Sequence, residues 1–327
     1  MNAPLPLVDA INLALHRAMQ QHPEMILLGE DIGNNGGVFR ATSGLLEHFG
    51  ARRVLDTPLA ESLIAGLCVG MASQGLRPVA EIQFMGFIYA ALEHLMAHAA
   101  RMRHRTRGRL TCAMTLRVPC GGGIHAPEHH SESLESLLTA MPGLKVVCPS
   151  SPRLAYQLLL SAIADPDPVI FLEPERLYRA VAQDCADDAT TLPLGRSLIH
   201  RRGRDLSIIA WGACVQDALA AAEILQTLGI DAEIVDVATL KPLDRDTLAT
   251  SVAGTGRALI VHEAPGSGGL GAEIAAWLGS ALFSELQAPV QRLTGFDCIM
   301  PYARLESRYL PSVQDIVDAA RTLLGDA

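Results

Sequence analysis

The sequence predicts an α/β protein of two domains, each a mainly parallel sheet covered by helices. Short apolar runs without polar alternation recur between segments of helical period, the pattern of strands buried on both faces and joined by crossover helices. That alternation breaks once, between Val181 and Pro193, where periodicity is lost and polar residues accumulate. A chain of 327 residues, 49% of them hydrophobic, is long for one core and suits two domains of about 130 to 190 residues. The boundaries fall at 1–185 and 196–327, with a linker at 186–195.

The first domain opens with helical periodicity over Asp9 to Gln21, then a short buried strand from Met25 to Leu28. A helix follows Asp56: Thr57 suits its cap, Pro58 its first position, and Gly75 its end. Small residues Gly66, Gly70 and Ser73 recur along it at helical spacing, so another backbone can approach that face closely. Val79 to Gln83, Leu110 to Arg117, Leu144 to Cys148 and Pro168 to Leu172 read as further strands. In the second domain the strands are Leu206 to Trp211, Ala232 to Val237, Ala258 to His262 and Pro289 to Thr294. Helices at Val215 to Leu228 and Gly271 to Leu282 lie between them.

Composition removes several function classes. The 35 acidic against 26 basic residues leave a net charge of -9, unlike a nucleic-acid binder. No apolar run is long enough to span a bilayer and no cationic leader opens the chain, so the expectation is a cytoplasmic protein without membrane contact. Seven cysteines with no Cys-x-x-Cys pair read as reduced, mostly buried thiols.

Two motifs resemble sites that their context does not support. Gly266-Ser267-Gly268-Gly269-Leu270-Gly271 fits the dinucleotide fingerprint, yet the strand-to-glycine turn is lengthened and no acid ends the next strand to hold a ribose. A turn built for packing is the better reading. His125-Ala126-Pro127-Glu128-His129 fits the inverted zinc-protease pattern, which needs a helix. Gly121, Gly122 and Gly123 before it and Pro127 within it predict a loop instead.

The most informative acid is Glu61, at the mouth of an otherwise apolar helix. A first-turn acid is often no more than a partner for the helix dipole. Its neighbourhood says otherwise. Asp56-Thr57-Pro58-Leu59-Ala60-Glu61, Gly29-Glu30-Asp31, Gly36-Gly37-Val38-Phe39-Arg40, Gly75-Leu76-Arg77-Pro78-Val79-Ala80-Glu81, Glu173-Pro174 with Leu177-Tyr178-Arg179, and Val261-His262-Glu263-Ala264 stand in one order along nearly the whole chain. In these the chain resembles the beta subunit of the thiamin-diphosphate-dependent decarboxylase component of 2-oxoacid dehydrogenase complexes, pyruvate and branched-chain type.

The resemblance implies a pyrimidine-binding, transketolase-like parallel-sheet domain followed by a transketolase C-terminal-like α/β domain. It implies thiamin diphosphate as cofactor, with Glu30, Glu61, Gln83 and Phe87 on the pyrimidine half and Glu61 and His130 as catalytic residues. Glu61 would share a proton with the pyrimidine ring nitrogen, Phe87 would stack on the ring, and His130 would act on the 2-oxoacid or its acyl product. Relatives usually carry Gln where Glu132 stands here.

No Gly-Asp-Gly motif is present for the diphosphate and its magnesium, so the resemblance places those on an alpha subunit, two alpha and two beta chains sharing two sites. Met114, Ala162, Ile163, Asp165 and Asp167 resemble a potassium-binding set, with Asp167 where relatives have Asn. Asp297 matches a position that docks the dihydrolipoyl acyltransferase core. The implied reaction is oxidative decarboxylation of a 2-oxoacid with reductive acylation of lipoyl groups. The alternatives are an acetoin dehydrogenase beta subunit, a non-catalytic assembly subunit, a nucleotide oxidoreductase, and a single-chain thiamin synthase or transketolase, the last disfavoured by the absent diphosphate motif.

Overall fold

The computed structural model describes residues 4–180 and 182–325; Val181, the first residue of the polar break, lies outside them. Two compact units are present. One contains residues 1–120 and 137–194, the other 121–136 and 195–327. The segment Gly121–Ser136 thus belongs with the second unit, a departure from a linear division of the chain.

In the first unit the parallel strands run Lys145–Val147, Val169–Pro174, Thr115–Cys120, Arg77–Glu81, Met25–Gly29 and Val54–Asp56 across the sheet. Helices Leu7–Gln21 and Pro152–Ala164 pack together. Their inner faces, Leu7, Ile11, Leu15 and Met19 on one and Leu158, Leu159 and Ile163 on the other, are buried. Every residue of Thr115–Cys120 and of Val169–Pro174 is buried, as central strands of a covered parallel sheet require.

In the second unit the strands Gln291–Gly295, Ala258–Pro265, Leu206–Ala210 and Ala232–Asp236 are parallel, and Leu198–Arg201 closes the edge antiparallel. Helices Cys214–Thr227 and Val313–Leu324 bury Ala218, Ala222, Ile316 and Ala320 in one apolar core with Ile208, Ile234 and Val261. Ser312 and Asp315 form a reciprocal capping box on the last helix. The glycine-rich turn after Ala258–Pro265 is a packing device: a Cβ on Gly271 would lie 2.6 Å from His262 Nε2.

The helix expected from Pro58 begins instead at Glu61 and ends at Ser73. Thr57 donates its N–H to the Gly29 carbonyl at 2.9 Å, which ties the segment after Val54–Asp56 to the neighbouring strand. Thr57 is therefore not the cap; Ala60 takes that position without a side-chain bond. The strand expected over Leu110 to Arg117 is Thr115–Cys120; Met114 gives only its carbonyl to Val169, and residues 110–113 find no partner on a neighbouring strand. Among the described residues no helix is long and apolar enough to cross a membrane.

Candidate active site

Gly29 lies opposite both Asp56 and Glu81 in the sheet, so three adjacent parallel strands end at one level. Glu30 follows the first directly, Glu61 follows the second after a short turn, and Gln83 and Phe87 follow the third. Ligands of open parallel sheets bind beyond such carboxyl ends.

Glu30 is 3% exposed, yet its Oε1 has no hydrogen-bond partner. Burial pushes its carboxyl above the usual range, and the nearby Glu61 and Asp31 charges push it the same way; only the Ala60 backbone amide opposes them. Glu61, half-buried, starts its helix, where the dipole favours an anion. Two carboxyls thus face each other electrostatically, one dry and with an unused acceptor. That arrangement suits a partner that shares a proton or donates N–H, such as a protonatable aromatic nitrogen.

Phe87, half-buried on the short 3-10 helix Met85–Ala91, meets Phe84 edge-on with centroids 5.9 Å apart. Phe84 in turn meets Phe39 at 5.6 Å, and Phe39 lies 4.8 Å from the Tyr178 ring. Gln83 is half-buried beside Phe84 in the chain.

Beneath this aromatic row sits a network absent from the sequence reading. Arg117 donates from Nε and Nη2 to Glu173 at 2.7 and 3.0 Å, and from Nη1 to Glu81 at 2.8 Å. Tyr178 donates to Glu173 Oε2 at 2.5 Å. Burial opposes the Arg117 charge, but the two carboxylates outweigh it and raise the pKa. Charged residues inside otherwise apolar strand runs were the available sequence signal.

His130 ends the 3-10 turn Glu128–His130, and its N–H donates to the Pro127 carbonyl at 2.9 Å. The loop before it carries positive φ at Gly121, Gly123 and His125. Asp297 is exposed, accepts from Ser267 at 2.8 Å, and is flanked by exposed Phe296 and Ile299.

The residues expected to hold a monovalent cation do not fit one. Lys145 Nζ sits 2.6 Å from Asp165, Arg103 Nε 2.7 Å from Asp167, and Arg77 donates to the Ile163 carbonyl and, at 3.2 Å, to that of Asp165. The Met114 carbonyl accepts from Val169 N–H and the Ala162 carbonyl from Asp165 N–H. Three fixed cationic groups already neutralise this loop, and a further positive charge among them would be repelled.

Residues 4–181 match the transketolase pyrimidine-binding domain, and residues 195–316 the transketolase C-terminal domain. Along 322 residues the chain is 46% identical to the pyruvate dehydrogenase E1 component subunit beta of Bacillus subtilis, covering 98% of this chain and 99% of that one. The chain belongs to the family of pyruvate dehydrogenase E1 component beta subunits. The subunit of the same name from Acholeplasma laidlawii is 46% identical over 319 residues, and one from Staphylococcus aureus 42% over 322. A solved split-gene transketolase, an inactive beta4 tetramer, shares the fold at TM-score 0.80 and 24% identity over 98% of this chain and 99% of that one.

Proposed function

We propose that this beta subunit, together with a separate alpha subunit, decarboxylates a 2-oxoacid and passes the acyl group to lipoyl acceptors. The observation that carries the reading is the pair of carboxyls at the strand ends, Glu30 with its unpartnered buried oxygen and Glu61 on its helix. Pyruvate is the favoured substrate over 2-oxoisovalerate or acetoin, since the relatives named above are pyruvate dehydrogenase subunits.

Thiamin diphosphate, when bound, would supply a nucleophilic thiazolium carbon. Glu61 would hold a shared proton at the pyrimidine ring nitrogen. Glu30, whose carboxyl burial and the Glu61 charge push above its ordinary value, offers its unpartnered Oε1 to the ring. Phe87 provides a flat apolar face, braced by Phe84 and Phe39, and Gln83 lines the same strand end. His130 orients the 2-oxoacid carboxylate and handles the proton when the acyl group leaves. An alpha chain would carry the diphosphate and its magnesium, for which this chain has no Gly-Asp-Gly.

A subunit contact is supported by the outer face of helix Glu61–Ser73. Leu63, Gly66, Leu67 and Gly70 line an open apolar groove with Leu76 and His94 there, and the three leucines are exposed, a surface that a partner would cover. Asp297, exposed beside exposed Phe296 and Ile299, would meet a basic acyltransferase domain.

The test is purification of this chain alone and with the alpha chain, each assayed with pyruvate, 2-oxoisovalerate and acetoin. Pyruvate turnover that requires both chains is expected. Turnover by the purified beta chain alone, or by the pair on acetoin only, would contradict the reading.

A further inference from the structure

The loop that carries His130 is held by backbone amides that converge on two carboxylates, both distant in sequence. Gly122 N–H donates to Glu263 Oε2 at 3.1 Å, Gly123 N–H to Glu306 Oε1 at 2.7 Å, and His125 N–H to Glu306 Oε2 at 3.2 Å. The His125 ring adds its Nδ1 at 2.6 Å from Glu306 Oε2. Glu306 is only 2% exposed, so this is a dry, charge-assisted cluster rather than a surface contact.

The backbone conformation is what lets these amides converge. Positive φ at Gly121, Gly123 and His125 turns successive N–H groups inward, making a concave anion nest whose anion is a side chain. A side chain at Gly122 would crowd the cluster, its Cβ lying 2.8 Å from the Met300 methyl and 3.3 Å from Glu306 Oε1. The far end of the loop is closed by the Gly121 N–H to Glu132 carbonyl bond at 2.9 Å and by Trp211 Nε1 donating to the buried Glu135 at 3.1 Å. The turn Glu128–His130 therefore hangs between two fixed ends.

We propose that Glu306 is a positioning residue: it anchors the Gly121–His125 arm and thereby sets the pose of His130 for acyl transfer. The proposal rests on the reading of His130 given above. Both oxygens of Glu306 accept, so a carboxylate is required. Glu306→Gln would point an amide N–H at groups that are themselves donors, whereas His125→Ala removes one ring contact and leaves the amides bonded.

The experiment uses the complete alpha-beta enzyme and reads amide hydrogen exchange alongside kinetics. In the wild type, the Gly123 and His125 amides exchange slowly; fast exchange of both overturns the tether without any variant being needed. In Glu306→Gln, exchange across residues 121–130 rises by about tenfold or more, and kcat for lipoyl acylation falls by a similar factor. Thiamin affinity stays within about twofold, because the loop does not hold the cofactor. Glu306→Ala, with the nest left empty, recovers part of its kcat on addition of formate, and His125→Ala stays within about threefold of wild type.

Unchanged exchange in a folded Glu306→Gln enzyme, or loosened amides with unchanged kcat, overturns the positioning role. His130→Ala separates the two claims. If it acylates lipoyl normally while Glu306→Gln still frees the amides, the role of His130 fails and the tether stands.

Discussion

Arg117 and Glu173 form a two-pronged ion pair, at 2.7 and 3.0 Å, inside the sheet of the first unit, with both side chains at most 1% exposed. Their strands are neighbours, and Tyr178 and Glu81 complete the shell of bonds. A charge pair so placed stabilises only while it is intact, since desolvation offsets most of the attraction. It also fixes the Tyr178 ring on which Phe39 rests, and so the aromatic row that ends at Phe87.

Glu173→Gln, which leaves Arg117 with a single buried carboxylate, should lower stability by about 3 kcal/mol. Tyr178→Phe, which removes one hydrogen bond and keeps the ring, should cost about 1 kcal/mol. Urea denaturation of the two variants and the wild type measures both, and equal midpoints for all three would mean that the network contributes nothing.

His262 links stability to pH in a predictable direction. It is fully buried, stacked on Trp211 with centroids 5.0 Å apart, and neither ring nitrogen has a well-formed hydrogen bond. Burial, with a smaller push from Arg292, lowers its pKa to about 4, and the Ala264 backbone offsets this only in part. The unfolded chain would titrate this group near the ordinary value of about 6.5. Below that pH the unfolded state takes up a proton that the folded state refuses. Stability attributable to His262 is therefore whole above about pH 6.5 and declines as pH falls toward 4, by roughly 3 kcal/mol in all. In His262→Phe the decline over this window should be shallower than in the wild type; parallel curves would remove His262 as the cause.

The loop around Asp165 should be indifferent to the identity of the monovalent cation, because Lys145, Arg77 and Arg103 already occupy its oxygens. The thermal midpoint of the chain should agree within about 1 °C in potassium and sodium chloride at equal ionic strength, since only a bound ion shifts it by mass action. Lys145→Met should lower the midpoint in both salts equally. A midpoint that rises with potassium alone would show that an ion displaces one of these side chains.

The fold was largely legible because its signals are local. Apolar runs such as Val169–Leu172 and periodic segments such as Leu7–Gln21 satisfy burial and helical phase from their own residues. The antiparallel edge strand Leu198–Arg201 was not, since its half-exposed residues carry no clean alternation. Nor was the start of the helix at Glu61, where Thr57 bonds to Gly29 across the sheet and overrides its capping tendency. In the site, Glu30, Glu61, Gln83 and Phe87 were placed through resemblance, and the structure brings them to adjacent strand ends. Glu263 and Glu306 were invisible as partners of the His130 loop, because a backbone amide leaves no mark in a sequence for a carboxylate some 140 to 180 residues away.

We propose that Glu61 does chemistry rather than merely complement its helix dipole. Glu61→Gln keeps size and hydrogen-bonding capacity but cannot share a proton with a ring nitrogen. If Glu61 is catalytic, the assembled alpha-beta variant binds thiamin diphosphate within about tenfold of wild type, its stability changes by less than about 1 kcal/mol, and turnover falls by about a hundredfold or more. If the carboxylate serves only the dipole, the loss is a few tenths of a kcal/mol of stability and turnover is retained. Steady-state decarboxylation of pyruvate by the reconstituted variant decides: a fall of about a hundredfold is the predicted result, and activity within about threefold of wild type would contradict it.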